Sequence, residues 1–170
     1  MHFSNMAENH GSIQSYSLFG ESQHLPDVLH CETIAARSVL HDWELAPHRH
    51  TRLHQVLLIT SRETRRWVIP KGNPIKDLKP GPSAAQEAFE EAGVRGAVGA
   101  KAIGLYHYDK RLRSGRLQHV RVQVYALQVQ EARDIWPEMA ERDRLWSSPA
   151  EAANLVDEPE LRALLAKFKA

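Results

Sequence analysis

The clearest alternation in the chain spans residues 118–130, QHVRVQVYALQVQ. Val120, Val122, Val124 and Ala126 fall on one side and His119, Arg121, Gln123 and Tyr125 on the other, so a period of two predicts a strand with one buried face. Residues 55–60 differ: QVLLIT is apolar almost throughout, as in a strand covered on both faces. The polar residues 61–66 predict a turn, and Trp67, Val68 and Ile69 a short returning strand that stops at Pro70. Residues 97–109, AVGAKAIGLYHYD, read as one strand in which Gly99 and Gly104 permit bends or bulges. Arg113, Ser114, Gly115 and Arg116 form a hairpin turn. Trp136-Pro137 opens a loop. Beyond it, Ser148-Pro149 starts a helix that runs through Leu155, and Glu158-Pro159 starts another that runs to about Phe168. The apolar stripe of the last helix is Leu161, Leu164, Leu165 and Phe168.

The first part of the chain is patterned more weakly. Residues 1–30 are dominated by Ser, Asn, His and Gly and read as a polar tail, which leaves residues 31–170 as a single domain. Residues 31–46 fit a short strand and a helix equally well. His48, His50 and His54 cluster in HRHTRLH, a residue type that suits a transition metal. No Cys or carboxylate stands at zinc-like spacing, and Arg49 and Arg52 would repel a cation, so the plainer reading is an exposed polar lead-in. With no internal repeat or linker, strands and helices together predict one α/β domain.

Candidate chemistry concentrates in residues 70–96, PKGNPIKDLKPGPSAAQEAFEEAGVRG. Ser83 is a suitable N-cap, Gln86 would complete a capping box, and Gly93 followed by Val94 is a C-terminal stop. Inside this helix Glu87, Glu90 and Glu91 are spaced i, i+3, i+4 and share one face, while Ala85, Ala88, Phe89 and Ala92 supply an apolar one. Like charges at this spacing repel by ~0.2–0.5 kcal/mol per pair. The helix C-terminus also disfavours the negative charges of Glu90 and Glu91. No Lys or Arg within the helix offsets them. A hard divalent cation would resolve the conflict. A solvated acidic face is the plainer alternative for the carboxylates alone.

Loop and helix together resemble the Nudix box, G-x5-E-x7-R-E-U-x-E-E-x-G-U, with U an apolar residue. Aligned from Gly72, the chain places Leu78 at the first Glu and Gln86 at the Arg, then follows the pattern through Glu87, Glu90, Glu91, Gly93 and Val94, with Ala88 at the first apolar site. The resemblance implies the Nudix fold, an α/β/α sandwich around a mixed β-sheet. It also implies metal-dependent hydrolysis of a pyrophosphate bond in a nucleotide-type or diphosphoinositol-type polyphosphate. By position, Glu87, Glu90 and Glu91 would be the catalytic carboxylates and the ligands of Mg²⁺ or Mn²⁺. Gly72 would let the loop backbone approach helix and phosphate closely.

SRETRRW at residues 61–67 and the late segment Trp136–Ala152, with its WPE and RDRLWSSPAEA runs, are similar to the diphosphoinositol-polyphosphate and diadenosine-polyphosphate hydrolase branch. In that branch a Ser and an Arg contact phosphates, which matches Ser61 and Arg62; Lys71 is a further expected phosphate contact. Lys76, Lys79, Lys110, Arg111, Arg113, Arg116 and Arg121 add either an anion-attracting rim or ordinary solvated charge. Two departures bear on rate. Gln86 lacks the guanidinium fork that would orient neighbouring carboxylates, and Leu78 removes a carboxylate on the loop side. Either fewer metals bind, or an acid outside the box substitutes, with Glu131, Asp134, Glu138 and Glu141 as the candidates; the general base is unassigned. The alternative function is a Nudix-fold ligand-binding or regulatory module with weak or no catalysis.

Composition narrows the partners. A net charge of +1 gives no global attraction to nucleic acid or membrane, so the expected partner is a phosphorylated small molecule recognised locally; a homodimer is left open. The single Cys31 rules out an intrachain disulfide. With no apolar run of ~18 residues and no signal-peptide pattern, the expected location is cytoplasmic.

Overall fold

In the computed structural model, which describes residues 28–41 and 51–169, the chain runs β1 (Val28–His41), β2 (Thr51–Thr60), β3 (Trp67–Val68), β4 (Lys71–Gly72), α1 (Pro80–Ala92), β5 (Val94–Val98), β6 (Gly104–Arg111), β7 (Leu117–Ala132), β8 (Arg144–Ser147), α2 (Pro149–Leu155) and α3 (Pro159–Lys167). One sheet has the order β3-β2-β1-β7-β5. β1 and β7 pair in parallel at its centre, and the other pairings are antiparallel, so the sheet is mixed. β8 lies along β2, β4 along β1 and β6 along β7.

Both faces of the sheet are covered. On one, Val56, Leu58, Tyr106, Val120, Val122 and Val124 pack with Ala152, Ala153, Val156, Leu161 and Leu165 of the α2–α3 region. On the other, Ala35, Leu57, Ile59, Val68 and Leu127 pack with Ala88 and Ala92 of α1. The result is the expected α/β/α sandwich. It explains the unbroken apolar run in β2, whose successive residues feed opposite cores. It also changes the reading of β7. Tyr125, placed by alternation on a polar side, is only 6% exposed because Ala84 of α1 and Val98 pack against it.

Several sequence expectations shift. β1 settles residues 28–41 as strand rather than helix, and it begins just inside the segment read as a tail. His54 belongs to β2 and is half-buried, not part of an exposed lead-in; His48 and His50 lie outside the described residues. Residues 97–109 form parts of two strands. Val98 pairs with Leu127 and Gly104 with Val124. Residues 99–103 must therefore span only Tyr125 and Ala126 of β7, and they loop out. Gly99 N–H donates to the Ala126 carbonyl and Ile103 N–H to that of Val124 on either side of the excursion.

The start of α1 differs too. Lys79 is its N-cap with no side-chain bond, and Pro80 opens the helix. Proline has the helical φ preset and no N–H to satisfy, so it needs no Ser83 cap. Ser83 instead sits buried in the helix, where its Oγ accepts from Ile75 N–H at 2.8 Å and ties the preceding loop down. Gly93 ends α1 as expected, at φ 67°, with its N–H donating to the Phe89 carbonyl.

Candidate active site

The C-terminal end of α1 leaves backbone carbonyls without helical partners. The segment after β7 and the first residue of β8 supply the donors. Glu138 N–H reaches the Glu90 carbonyl at 3.2 Å, Trp136 Nε1 that of Glu91 at 3.2 Å, Arg144 Nη1 that of Ala92 at 3.0 Å, and Arg133 N–H that of Gly93 at 2.9 Å. This docking has a chemical consequence, because it brings Glu138 and Arg142 to the carboxylate face of α1.

Glu91 lies at the centre of that face and is 6% exposed. Lys71 N–H donates to its Oε2 at 2.8 Å, and Arg142 Nη2 donates to its Oε1. Arg142 also donates through Nε to Glu138 Oε2 at 2.6 Å and through Nη1 to the Thr60 carbonyl at 3.0 Å. Burial pushes the Glu91 carboxyl above its usual pKa, and the Lys71 N–H bond and the Arg142 charge offset part of that. Glu90 is half-buried and accepts from Gln86 Nε2 at 2.6 Å, so Gln86 bonds to the face itself instead of capping the helix.

Glu87 presses against β4. A Cβ placed on Gly72 would stand 1.9 Å from Glu87 Cδ, so the carboxylate occupies the space that a side chain there would need. Burial first, then the charges of Glu91, Glu90 and Glu138, push the Glu87 carboxyl up to about 7, against a smaller opposing effect of Arg142. Four carboxylates are therefore electrostatically coupled with one buried guanidinium among them.

Of the four acids outside the helix, Glu138 is the one brought to this face. Glu131 pairs with Arg133, Asp134 acts on Arg144, and Glu141 lies 3.5 Å from Arg62. Arg62, 57% exposed, also stands 3.7 Å from Glu138 Oε1, which places it at the rim. The Ser61 hydroxyl is turned to Thr64 Oγ1 at 2.6 Å, within its own turn. Lys71 reaches the face through its backbone, and its ammonium lies 5.4 Å from the Tyr108 ring centroid. Leu78 is 46% exposed on the loop. Lys110, Arg111, Arg113 and Arg116 are carried on the β6–β7 hairpin and its turn, not on α1 or the segment after β7. Sequence reasoning did not single out Arg142. The missing guanidinium at position 86 was the signal that a cation had to come from elsewhere.

Among the described residues, no three His, Cys, Asp or Glu side chains are drawn together closely enough to hold a metal ion. Both Glu91 oxygens accept hydrogen bonds, from Lys71 N–H and Arg142, and Glu90 accepts from Gln86. The donor chemistry nonetheless fits a hard divalent cation. The donors are carboxylate oxygens, and behind burial the charges of Glu91, Glu90 and Glu138 all raise the Glu87 pKa, which a bound cation would oppose.

The raised Glu87 pKa gives a stability prediction. Glu87 is protonated in both folded and unfolded chains below its ordinary value of 4.5. Between 4.5 and about 7 the folded chain keeps the proton that the unfolded chain releases, so stability falls as pH rises, and the full cost remains above 7. Glu87→Gln mimics the neutral carboxyl. In metal-free buffer it is expected to raise the melting temperature at pH 8 and to leave it unchanged near pH 4. Equal melting curves at pH 8 would show that the carboxylate pays no such penalty.

No family model matches the chain. It is 31% identical over 119 residues to Nudix hydrolase 13, mitochondrial, of Arabidopsis thaliana, a match covering 67% of this chain and 59% of that protein. It is also 31% identical over 111 residues to human diphosphoinositol polyphosphate phosphohydrolase 3-beta, covering 64% of this chain and 63% of the relative. The chain thus spans less than two thirds of the length of these curated relatives. A Caenorhabditis elegans Ap4A hydrolase, solved as a binary complex, has the same fold, with a TM-score of 0.60, 19% identity, and coverage of 83% of this chain and 94% of that one. No helix among the described residues is long and apolar enough to cross a membrane.

Proposed function

This chain belongs to the Nudix family, and we propose that it hydrolyses a pyrophosphate bond in a phosphorylated small molecule, with a dinucleoside polyphosphate or a diphosphoinositol polyphosphate as the preferred substrate class. The observation that carries this reading is the coupling of Glu87, Glu90 and Glu91 on one face of α1, joined by Glu138 from the segment after β7. Similarity to a diphosphoinositol polyphosphate phosphohydrolase supports the substrate class.

Glu87, Glu90 and Glu91 would hold Mg²⁺ or Mn²⁺. When bound, the cation supplies charge neutralisation at the diphosphate and acidifies water. The chain's own residues do the positioning. Lys71 N–H fixes one oxygen of Glu91, and Gly72 leaves room for Glu87 beside the loop. Glu138 is the acid that compensates for Leu78. Arg62 holds its two carboxylates only at 3.5 and 3.7 Å in an exposed position, so it can exchange them for a phosphate at little cost.

The test is hydrolysis of a panel of dinucleoside polyphosphates, diphosphoinositols and nucleotide sugars by the purified full chain, with Mg²⁺ and with excess EDTA. Turnover of at least one member that disappears with EDTA and returns with added Mg²⁺ is the expected result. Silence across the panel sinks the proposal. Tight calorimetric binding without product would make the chain a ligand-binding module instead.

A further inference from the structure

Arg142 is the most constrained charge on the candidate face. Its side chain is 6% exposed, and its three nitrogens donate to three different parts of the fold: Glu91 on α1, Glu138 on the segment after β7, and the Thr60 carbonyl at the end of β2. α1 has no basic residue in its last turn. Gln86 is exposed and its amide reaches Glu90. Arg62 touches Glu138 from the rim at 3.7 Å. Among the described residues, Arg142 is the guanidinium that contacts acids from both α1 and the segment after β7.

We infer that Arg142 is the positioning residue of this site, performing from the segment after β7 the orienting role that Gln86 cannot perform from α1. Its planar fork fixes the angle between its donors, so binding Glu91 and Glu138 together sets where their remaining oxygens point. Anchorage to the Thr60 carbonyl refers that geometry to the end of β2 in the sheet. Lysine is a poor replacement, because a point charge on a flexible stem can balance two carboxylates without orienting them. The inference rests on the reading of this face as a metal-dependent hydrolytic site.

Groups that orient metal ligands typically change metal affinity or activity by ~10–100-fold when replaced. Arg142→Lys is expected to lower kcat about tenfold, and Arg142→Met more, toward the upper end of that range. KM should stay within about twofold, because the Arg142 side chain is only 6% exposed and its bonds go to the protein itself. Mn²⁺ affinity, measured by electron paramagnetic resonance without substrate, should weaken about tenfold in Arg142→Lys. A purely structural role would instead lower the melting temperature while leaving kcat and Mn²⁺ affinity of the folded protein intact. If Arg142→Met does not fold, Arg142→Lys decides the matter. Wild type that is active and binds Mn²⁺, with folded Arg142 variants matching it in both, overturns this assignment alone. Wild type that neither turns over substrate nor binds Mn²⁺ overturns the hydrolytic reading and this one with it.

Discussion

Glu91→Gln is expected to lower both activity and stability, whereas Glu90→Gln lowers activity with the fold intact. The two residues are neighbours on one helix face, but their surroundings differ. Glu91 is buried and engages Arg142 and Lys71 N–H, while Glu90 bonds to the exposed Gln86. Removing one member of a buried charge pair leaves the other uncompensated, which typically costs ~3–5 kcal/mol. The lower end applies, about 3 kcal/mol, because Arg142 retains Glu138 and because burial already disfavours the Glu91 charge. Loss of a carboxylate that supports a metal-assisted step removes several kcal/mol of transition-state stabilisation, or roughly 10²–10³ in rate. Urea denaturation and kcat on the same preparations separate the two effects. Equal denaturation midpoints for the two variants would show that the Glu91–Arg142 pair carries no stability, and full activity in Glu90→Gln would remove Glu90 from the chemistry.

That contrast was not legible in the sequence, and the reason is physical. The spacing of Glu87, Glu90 and Glu91 is a local property of a helix, so it puts them on one face whatever the rest of the chain does. Which of the three is buried depends on a segment more than 40 residues away, which docks by feeding donors to the last carbonyls of α1. No periodicity announces such a contact. In sequence Glu138 is equivalent to three other acids, and what sets it apart is a backbone bond from its N–H to the Glu90 carbonyl.

The fold divides along the same line. β2, β7, α2 and α3 carry signals within their own residues: an apolar run, an alternation, and two Pro-led helix starts. Ser148 indeed caps α2 in a reciprocal box with Glu151. β4 has two residues and β8 four, too short for a pattern, and each exists because a longer strand offers it an edge. The split of residues 97–109 is likewise imposed by pairing with β7. At Ser83, the local rule for a capping residue was outweighed by Pro80, three positions earlier, and the hydroxyl was left free to serve the loop.

Gly72→Ala is expected to leave the protein as stable as wild type or slightly more so while lowering kcat about 100-fold. The two effects have separate causes. Gly72 in β4 is not among the glycines with positive φ, so alanine can adopt its backbone conformation. Restricting the unfolded chain at such a position stabilises by ~0.4–1 kcal/mol. The obstacle to the new Cβ is the Glu87 carboxylate, with Cδ at 1.9 Å and the two oxygens at 2.1 and 2.2 Å. That is the free end of a flexible side chain, so the conflict is relieved by swinging the carboxylate away and the backbone need not move. The swing also relieves the burial and the crowding of charge that lift the Glu87 pKa, which again favours the folded state. For catalysis the same movement is harmful, since misplacing a reacting or ligating group by about 1 Å costs on the order of 10²-fold. A double-mutant cycle isolates the cause. If Gly72 acts through Glu87, then Gly72→Ala adds almost nothing to the loss already produced by Glu87→Gln. Full additivity of the two losses would mean that the glycine serves the substrate directly, through the backbone of the loop, and that its contact with Glu87 is incidental to turnover.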